Sequence, residues 1–266
     1  MATRKTFEKA IIAKCKNPNL KANGYFSTNK ENLLEGIDIS LFQEDLTSGS
    51  GNELQSKFNA IYSSAALAVN NFSIVKKESS TFNYLGYSNF YDAKFERKFI
   101  TGLGGTAPNL DFTIENNDVV IAFESKYLEI TTKKKVKFAK SYNKEKLNYL
   151  DDFWFDIINQ HKDSRFYLDV AQLIKHAIGL INYKRKYSTK KIVLVYIYWL
   201  PENYEAFTNF KEHQKELREF EALLKENKDL QFISTTYTEF WKAYEHENSI
   251  FKKHFNKVKK RYKIKI

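Results

Sequence analysis

A single cysteine, Cys15, stands in a chain of 266 residues. One thiol builds neither an internal disulfide framework nor a cysteine-based zinc site, and its isolation fits a reducing compartment and argues against a thiol nucleophile. Only three prolines and nine glycines punctuate the chain. No internal repeat or low-complexity linker divides it, so no clean domain boundary emerges; the main breaks are SGSG at 48–51, the glycines at 102, 104 and 105, and Pro201. The longest apolar run, IVLVYIYWL at 192–200, is too short to cross a bilayer, and the opening MATRKTFEKAIIAK lacks the apolar core of a secretion signal. The expectation is a soluble cytoplasmic protein. GLGGT at 102–106 lacks the lysine and hydroxyl of a phosphate-binding P-loop, so nothing points to ATP, and neither a Gly-x-Ser-x-Gly elbow nor a His-Glu-x-x-His helix occurs.

What the chain does have is positive charge. Lys and Arg outnumber Asp and Glu by 43 to 32, a net +11, while 42% hydrophobic residues supply ample material for a core. Such a surplus attracts polyanions, with nucleic acid the leading partner class and an anionic membrane surface second. The basic clusters are KKKVK at 133–137, KRKYSTKK at 184–191 and KKHFNKVKKRYKIKI from 252. A charge run is in the first instance a solvated surface. These clusters gain interest only from what lies beside them.

Apolar residues Leu54, Phe58, Ile61, Tyr62, Ala65, Val69 and Phe72 recur at helical spacing, predicting an amphipathic helix from 52 to about 72 behind the SGSG stop. KFERKF at 94–99 alternates as a strand does. Two more strands follow, joined at Asn116 and Asn117, which tolerate the positive φ of a tight hairpin. The spacing predicts a second helix over 165–186, then a strand buried on both faces at 192–200, a polar helix from about 202 to 226, and a last strand in LQFISTTY. The expected fold is an α/β sandwich with a mixed central sheet. Residues 1–50 read as a helical extension, 51–248 as the main domain and 249–266 as a basic tail.

In the hairpin, side-chain alternation puts Leu110, Phe112, Ile114, Val119, Ile121 and Phe123 on one apolar face and Asp111, Glu124 and Lys126 on the other. A turn centred on Asn116 and Asn117 would oppose Glu115 to Asp118, Phe112 to Ile121 and Asp111 to Ala122, leaving Asp111 diagonal to Glu124. Two carboxylates so placed favour a hard divalent cation, Mg²⁺ with Mn²⁺ as substitute, whose chemistry is phosphodiester hydrolysis. Lys126, on the same face, suits orienting or activating a water and offsetting transition-state charge.

Asp111 and the triplet Glu124, Ser125, Lys126 resemble the active-site hairpin of the PD-(D/E)XK nuclease superfamily, and the order helix, three strands, helix, strand resembles its core. The motif proline is offset, since Asn109 and Leu110 separate Pro108 from Asp111. Three blocks, GSGNELQSKFNAIYSSAALAVNNF, GGTAPNLDF with AFESKYLE, and FYLDVAQLIKHAIGL, are similar to a bacterial group of restriction-endonuclease-like proteins. The resemblance implies Asp111, Glu124 and Ser125 as metal-site residues, Glu53 on the first core helix as a further acid, Gln172 on the helix after the third strand as support, and products with 5′-phosphates. Glu53 is equally a helix N-terminal carboxylate, and Gln172 is almost as readily an exposed helix position. Two similar triplets, from Glu96 and from Glu226, are set aside: Glu226 sits at a helix end, and Glu96 lacks a preceding aspartate on a paired strand. His176, a single imidazole, reads as structural or solvent-exposed.

The expectation is therefore a Mg²⁺-dependent DNA endonuclease of restriction or defence type, with Lys133, Lys134, Lys135, Lys175, Lys184 and Arg185 as candidate phosphate contacts. A two-fold dimer would suit cutting both strands of a palindrome. Two other readings stand beside it: a non-catalytic DNA-binding protein on a nuclease scaffold, and a nuclease acting on RNA or repair intermediates.

Overall fold

The structure is a computed structural model that describes residues 2–49, 54, 57–187, 189–246 and 249–266. The elements in chain order are helices α1 (Arg4–Lys14), α2 (Gln43–Ser48) and α3 (Ser64–Lys77), then strands β1 (Asp92–Lys98), β2 (Asn109–Glu115), β3 (Val119–Lys126) and the short β4 (Lys134–Lys135). Helix α4 (Asp152–His161), the short β5 (Arg165–Phe166), α5 (Val170–Tyr187), β6 (Lys191–Tyr198), α6 (Thr208–Leu224), β7 (Gln231–Thr236), α7 (Tyr237–Ala243) and α8 (Ile250–Tyr262) complete it. One five-stranded mixed sheet runs in the order β1-β2-β3-β6-β7, and β4 with β5 forms a two-stranded ribbon. Strands β1, β2 and β3 pair antiparallel, whereas β6 runs parallel to both β3 and β7. This is the α/β architecture expected of a restriction-endonuclease-like core.

Alternation decides the layers. Phe112 and Phe123 pair across β2 and β3 and stack against Phe72 of α3, with ring centroids at 4.7 and 4.8 Å. Residues Ala65 to Val75 of α3 are all buried, because α8 covers the side turned from the sheet: Phe251, Phe255, Val258 and Tyr262 are buried, and Asn70 donates to the Tyr262 hydroxyl at 2.8 Å. The expected basic tail at 249–266 thus contains a helix, its lysines on one side and its aromatics in the core. On the opposite face of the sheet, α5 and α6 cover the side to which Glu124 and its register neighbour Tyr196 point.

Several elements differ from expectation, and hydrogen bonding gives the reason for two helix starts. The first core helix begins at Ser64 instead of 52. Residues 59–61 are held extended against 24–26, with Phe26 N–H donating to Asn59 O and Ile61 N–H to Gly24 O, and Ser63 then caps the helix by accepting from Ala66 N–H. Helix α5 begins at Val170 instead of 165 because the Asp169 carboxylate accepts from Gln172 N–H at 3.1 Å, while Arg165 and Phe166 are taken by the ribbon with β4. Helix α4 was not expected. Within the segment read as a helical extension, Phe7, Ile11, Phe42 and Leu46 join the same core, and Asp45 accepts from Phe95 N–H at 2.8 Å, satisfying edge strand β1.

Helix α5 crosses close over the end of β1 at Gly179. A Cβ there would lie 2.4 Å from the carbonyl oxygen of Phe99. Replacing glycine by alanine inside a helix ordinarily stabilises by about 1 kcal/mol, but a clash with backbone forces a shift costing about 1–3 kcal/mol. The expected outcome for Gly179→Ala is a net loss of stability in urea unfolding, with α5 displaced from the sheet; unchanged or increased stability would contradict this packing.

Candidate active site

The β2–β3 hairpin carries the acids, and its register differs from the expected one by two residues. Phe112 faces Phe123, Thr113 faces Ala122, Ile114 faces Ile121 and Glu115 faces Val120. The turn is centred on Asn117 and Asp118: Asn116 N–H donates to Val119 O, and the Asn116 side chain accepts from both Asp118 N–H and Val119 N–H. Among the described residues, none of the turn residues 116–118 has positive φ. The side-chain oxygen of Asn116 organises the turn, so left-handed backbone is not needed. A slip of two residues leaves every side chain on its face. It also makes Asp111 and Glu124 the next residues in line on the two strands, so the acids are opposed instead of diagonal.

Where that next rung would stand, the ladder ends. Asp111 Oδ2 instead accepts from Ser125 N–H at 2.7 Å. Ser125 turns its hydroxyl to the other face, 2.7 Å from the Tyr237 hydroxyl, so of the Glu-Ser-Lys triplet only Glu124 and Lys126 direct side chains to the α5 side. Lys126 Nζ donates to Glu124 Oε1, and all three residues of the triplet are buried.

Electrostatics separates the two carboxyls. Burial pushes Asp111 up and the Glu124 charge adds to this, while Lys126 and the Ser125 N–H offset only part, so its pKa lies well above the ordinary aspartate value. Burial also pushes Glu124 up, but Lys126 and then His176 outweigh it and hold its pKa down to about 2. Burial opposes the charge on Lys126, yet Glu124, Asp111 and Glu129 keep it protonated above the usual lysine range. The site is a fixed anion and a fixed cation beside an aspartate that resists ionising without further positive charge.

These residues open onto a cleft of about 500 Å³ lined by Glu96, Asp111, Glu124, Lys126, Gln172 and Lys175, among others. Gln172 and Lys175 come from α5, and Lys175 sits 5.8 Å from the centroids of both the Phe138 and Tyr142 rings. His176, expected to be structural or solvent-exposed, is buried at 1% exposure with Nε2 2.9 Å from Glu124 Oε2. Glu53 lies outside the described residues. A larger cavity of about 850 Å³ between the ends of α1 and α8, lined by Lys14, Lys16, Lys260 and Lys263 among others, contains none of the candidate residues.

Glu96, passed over in the sequence, belongs to this cleft. The β1–β2 register puts Phe95 opposite Phe112 and Arg97 opposite Leu110, so Glu96 is level with Asp111. Glu96 has φ +48°, the one described strand residue in the left-handed region, at a cost of order 1–3 kcal/mol. Its carboxylate accepts from Asn109 Nδ2 at 2.9 Å, and Gly49 at the end of α2 passes so close that a Cβ there would stand 3.3 Å from that of Glu96. Its Glu-x-Lys triplet is visible in the sequence, but its place in the cleft depends on a backbone twist and on the chain before residue 50.

The cationic candidates divide. Only Lys175 lines the cleft. Lys134 pairs with Asp169 at 2.7 Å and Lys135 with Asp163 at 2.9 Å, while Lys133 stands over the Tyr167 ring. Lys184 reaches the Asp229 carbonyl, and Arg185 stacks over Tyr149 at 4.6 Å. Among the described residues no three His, Cys, Asp or Glu side chains stand close enough to hold an ion by themselves. The donor set nonetheless fits Mg²⁺ or Mn²⁺: these ions often take one or two carboxylates and fill the remaining positions with water and substrate phosphate, and a raised Asp111 next to an ionised Glu124 is what a cation between them would relieve. No helix of the described residues is long and apolar enough to cross a membrane.

A family model described as Restriction Endonuclease associating with ARP matches residues 8–263. No curated protein and no solved structure matches the chain.

The carboxyl asymmetry has a thermodynamic signature. Because the folded pKa of Asp111 is raised, the native state holds its proton where the unfolded state has lost it; stability from this group is full below the ordinary aspartate value near 3.8 and declines as pH rises toward the folded one. In chelator at pH 7, Asp111→Asn is expected to be more stable than the wild type, the gap closing as pH falls toward 4. Glu124→Gln is expected to lose about 3–5 kcal/mol, because it strands Lys126 without its partner. Thermal unfolding across pH 4–8 checks both; a destabilised Asp111→Asn at pH 7 would refute the like-charge account.

Proposed function

The chain belongs to the family of restriction endonucleases associating with ARP, and from that premise we propose that it hydrolyses DNA phosphodiester bonds in the cleft of Asp111, Glu124 and Lys126, with Mg²⁺ or Mn²⁺ as cofactor. The observation that carries this reading is the opposed acid pair with Lys126 donating to one of its members, in the arrangement of the PD-(D/E)XK nucleases that the motif resembles. Asp111 and Glu124 would hold the ion. A hard cation there supplies Lewis acidity toward a phosphate oxygen and lowers the pKa of a bound water.

The chain's own residues supply the rest. Lys126 is a poor base while Glu124 and Asp111 keep it charged, so its contribution is positive charge against the extra negative charge of the pentavalent phosphorus and a donor to a non-bridging oxygen. Ser125 N–H orients Asp111, so this acid meets the substrate in one rotamer. Gln172 and Lys175 extend from α5 over the cleft and offer a neutral donor and a cation to the phosphates flanking the scissile bond. Lys175 Nζ lies within cation–π range of both Phe138 and Tyr142, which favours a charged group there.

The alternatives are a DNA-binding scaffold without hydrolysis and a nuclease for RNA or repair intermediates; the retained Asp, Glu and Lys disfavour the first. The test is incubation of supercoiled plasmid, linear duplex and single-stranded RNA with Mg²⁺ or with chelator. The expected result is nicking or cutting of DNA only with metal, lowered by about 100-fold or more in Asp111→Ala and Lys126→Ala, both of which still bind DNA. Undiminished cleavage by either variant, or by the wild type in chelator, would reject the assignment.

A further inference from the structure

We propose that His176 is a positioning residue for Glu124: from α5, beneath the cleft floor, it fixes the second carboxylate oxygen so that the Asp111–Glu124 pair is set for a divalent cation before one arrives. This inference rests on the cation-binding part of the reading above.

The carboxylate of Glu124 is held from two elements. Lys126, two residues along the same strand, takes Oε1. A carboxylate gripped at one oxygen by a neighbour on its own strand still pivots about that contact. His176 arrives from a helix across the layer, and its Nε2 stands 2.9 Å from Oε2, the oxygen that Lys126 leaves. His176 does not line the cleft, so it touches neither substrate nor ion and acts only through Glu124.

Two further observations separate this from ordinary core packing. The imidazole is buried with Nε2 facing Glu124 Oε2 at ion-pair distance, and among the described residues Nδ1 has no hydrogen-bond partner. An apolar side chain of similar size would leave the buried Glu124 Oε2 facing no polar atom on α5, whereas the imidazole sets Nε2 2.9 Å from it. The groups around the contact are Glu124 and Lys126 from β3, Asp111 from β2, and Tyr196, which β6 sets beside Glu124 in register. The contact is also geometrically firm, since α5 is seated on the Phe99 carbonyl through Gly179, less than one turn beyond His176. Outer groups that orient a metal-binding carboxylate typically change metal affinity about 10- to 100-fold when removed.

The experiment measures Mn²⁺ binding to the full chain by titration calorimetry, with cleavage kinetics in parallel. His176→Leu keeps volume and removes the contact, whereas His176→Gln can return an amide nitrogen to the position of Nε2. The expected result is Mn²⁺ affinity about 10- to 100-fold weaker in His176→Leu, largely restored in His176→Gln, with KM for DNA unchanged at saturating metal. Should His176→Leu not fold, as judged by thermal unfolding, His176→Asn, polar but too short to reach Oε2, is measured in its place. Wild-type affinity in a folded His176→Leu or His176→Asn, or no recovery in His176→Gln, overturns the inference. A wild type that binds Mn²⁺ with this dependence but cuts no DNA supports the inference while removing the nuclease reading; a folded wild type that binds no Mn²⁺ overturns both.

Discussion

Two carboxylates and one ammonium share a buried corner of the β2–β3 hairpin, and most of what is distinctive about this molecule follows from that crowding. A protein interior does not tolerate adjacent like charges without compensation. Here the compensation is uneven: Glu124 takes the lysine and the histidine contact, and Asp111 is left with a backbone N–H. The asymmetry gives the pair different characters although both acids come from one ribbon. It also leaves the Asp111 carboxyl, where the cleft meets the sheet, pushed well above the ordinary aspartate range by burial and by the Glu124 charge.

The surroundings hold this arrangement in place at some cost. The Glu96 backbone is forced left-handed in the edge strand, and α2 is pinned against that strand through Asp45 and through the Lys98 ammonium donating to Ser48 O. On the other side, Arg97 and Lys190 converge on Glu115 at the hairpin end, at 2.7 and 2.5 Å. The ribbon is thus anchored at its turn by one buried ion cluster and opened at its far end by another. Strain of this kind persists only where the neighbouring structure overdetermines it.

The fold was legible where side-chain periodicity decides it. Alternation assigned both faces of the hairpin, and the unbroken apolar run of β6 announced a strand covered on both sides, as 192–198 prove to be. The site was legible as far as it lies on one strand pair, because a register error of two leaves Asp111, Glu124 and Lys126 together. What could not be read depends on contacts between distant segments. Glu96 enters through a local backbone inversion, and His176 through the closeness that Gly179 permits. The late start of α3 reflects pairing with residues 24–26, which no helical period encodes. The surroundings of the lysine clusters were not legible either: Lys134 and Lys135 pair with Asp169 and Asp163, 28 or more positions away, contacts that a run of one charge does not announce.

The burial of α3 on every side has a bearing on how the molecule comes into being. During synthesis this helix emerges before the sheet that shelters one flank and long before α8, which shelters the other. For most of translation an apolar rod lacks its cover, and the exposure of such surface is what draws chaperones and drives self-association. The pairing of β3 with β6 joins segments far apart in sequence, which slows folding further. The hairpin that carries Asp111, Glu124 and Lys126 is local in sequence, but α5, which reaches Glu124 through His176, emerges only later, so a nascent chain holds the candidate residues before their surroundings are complete.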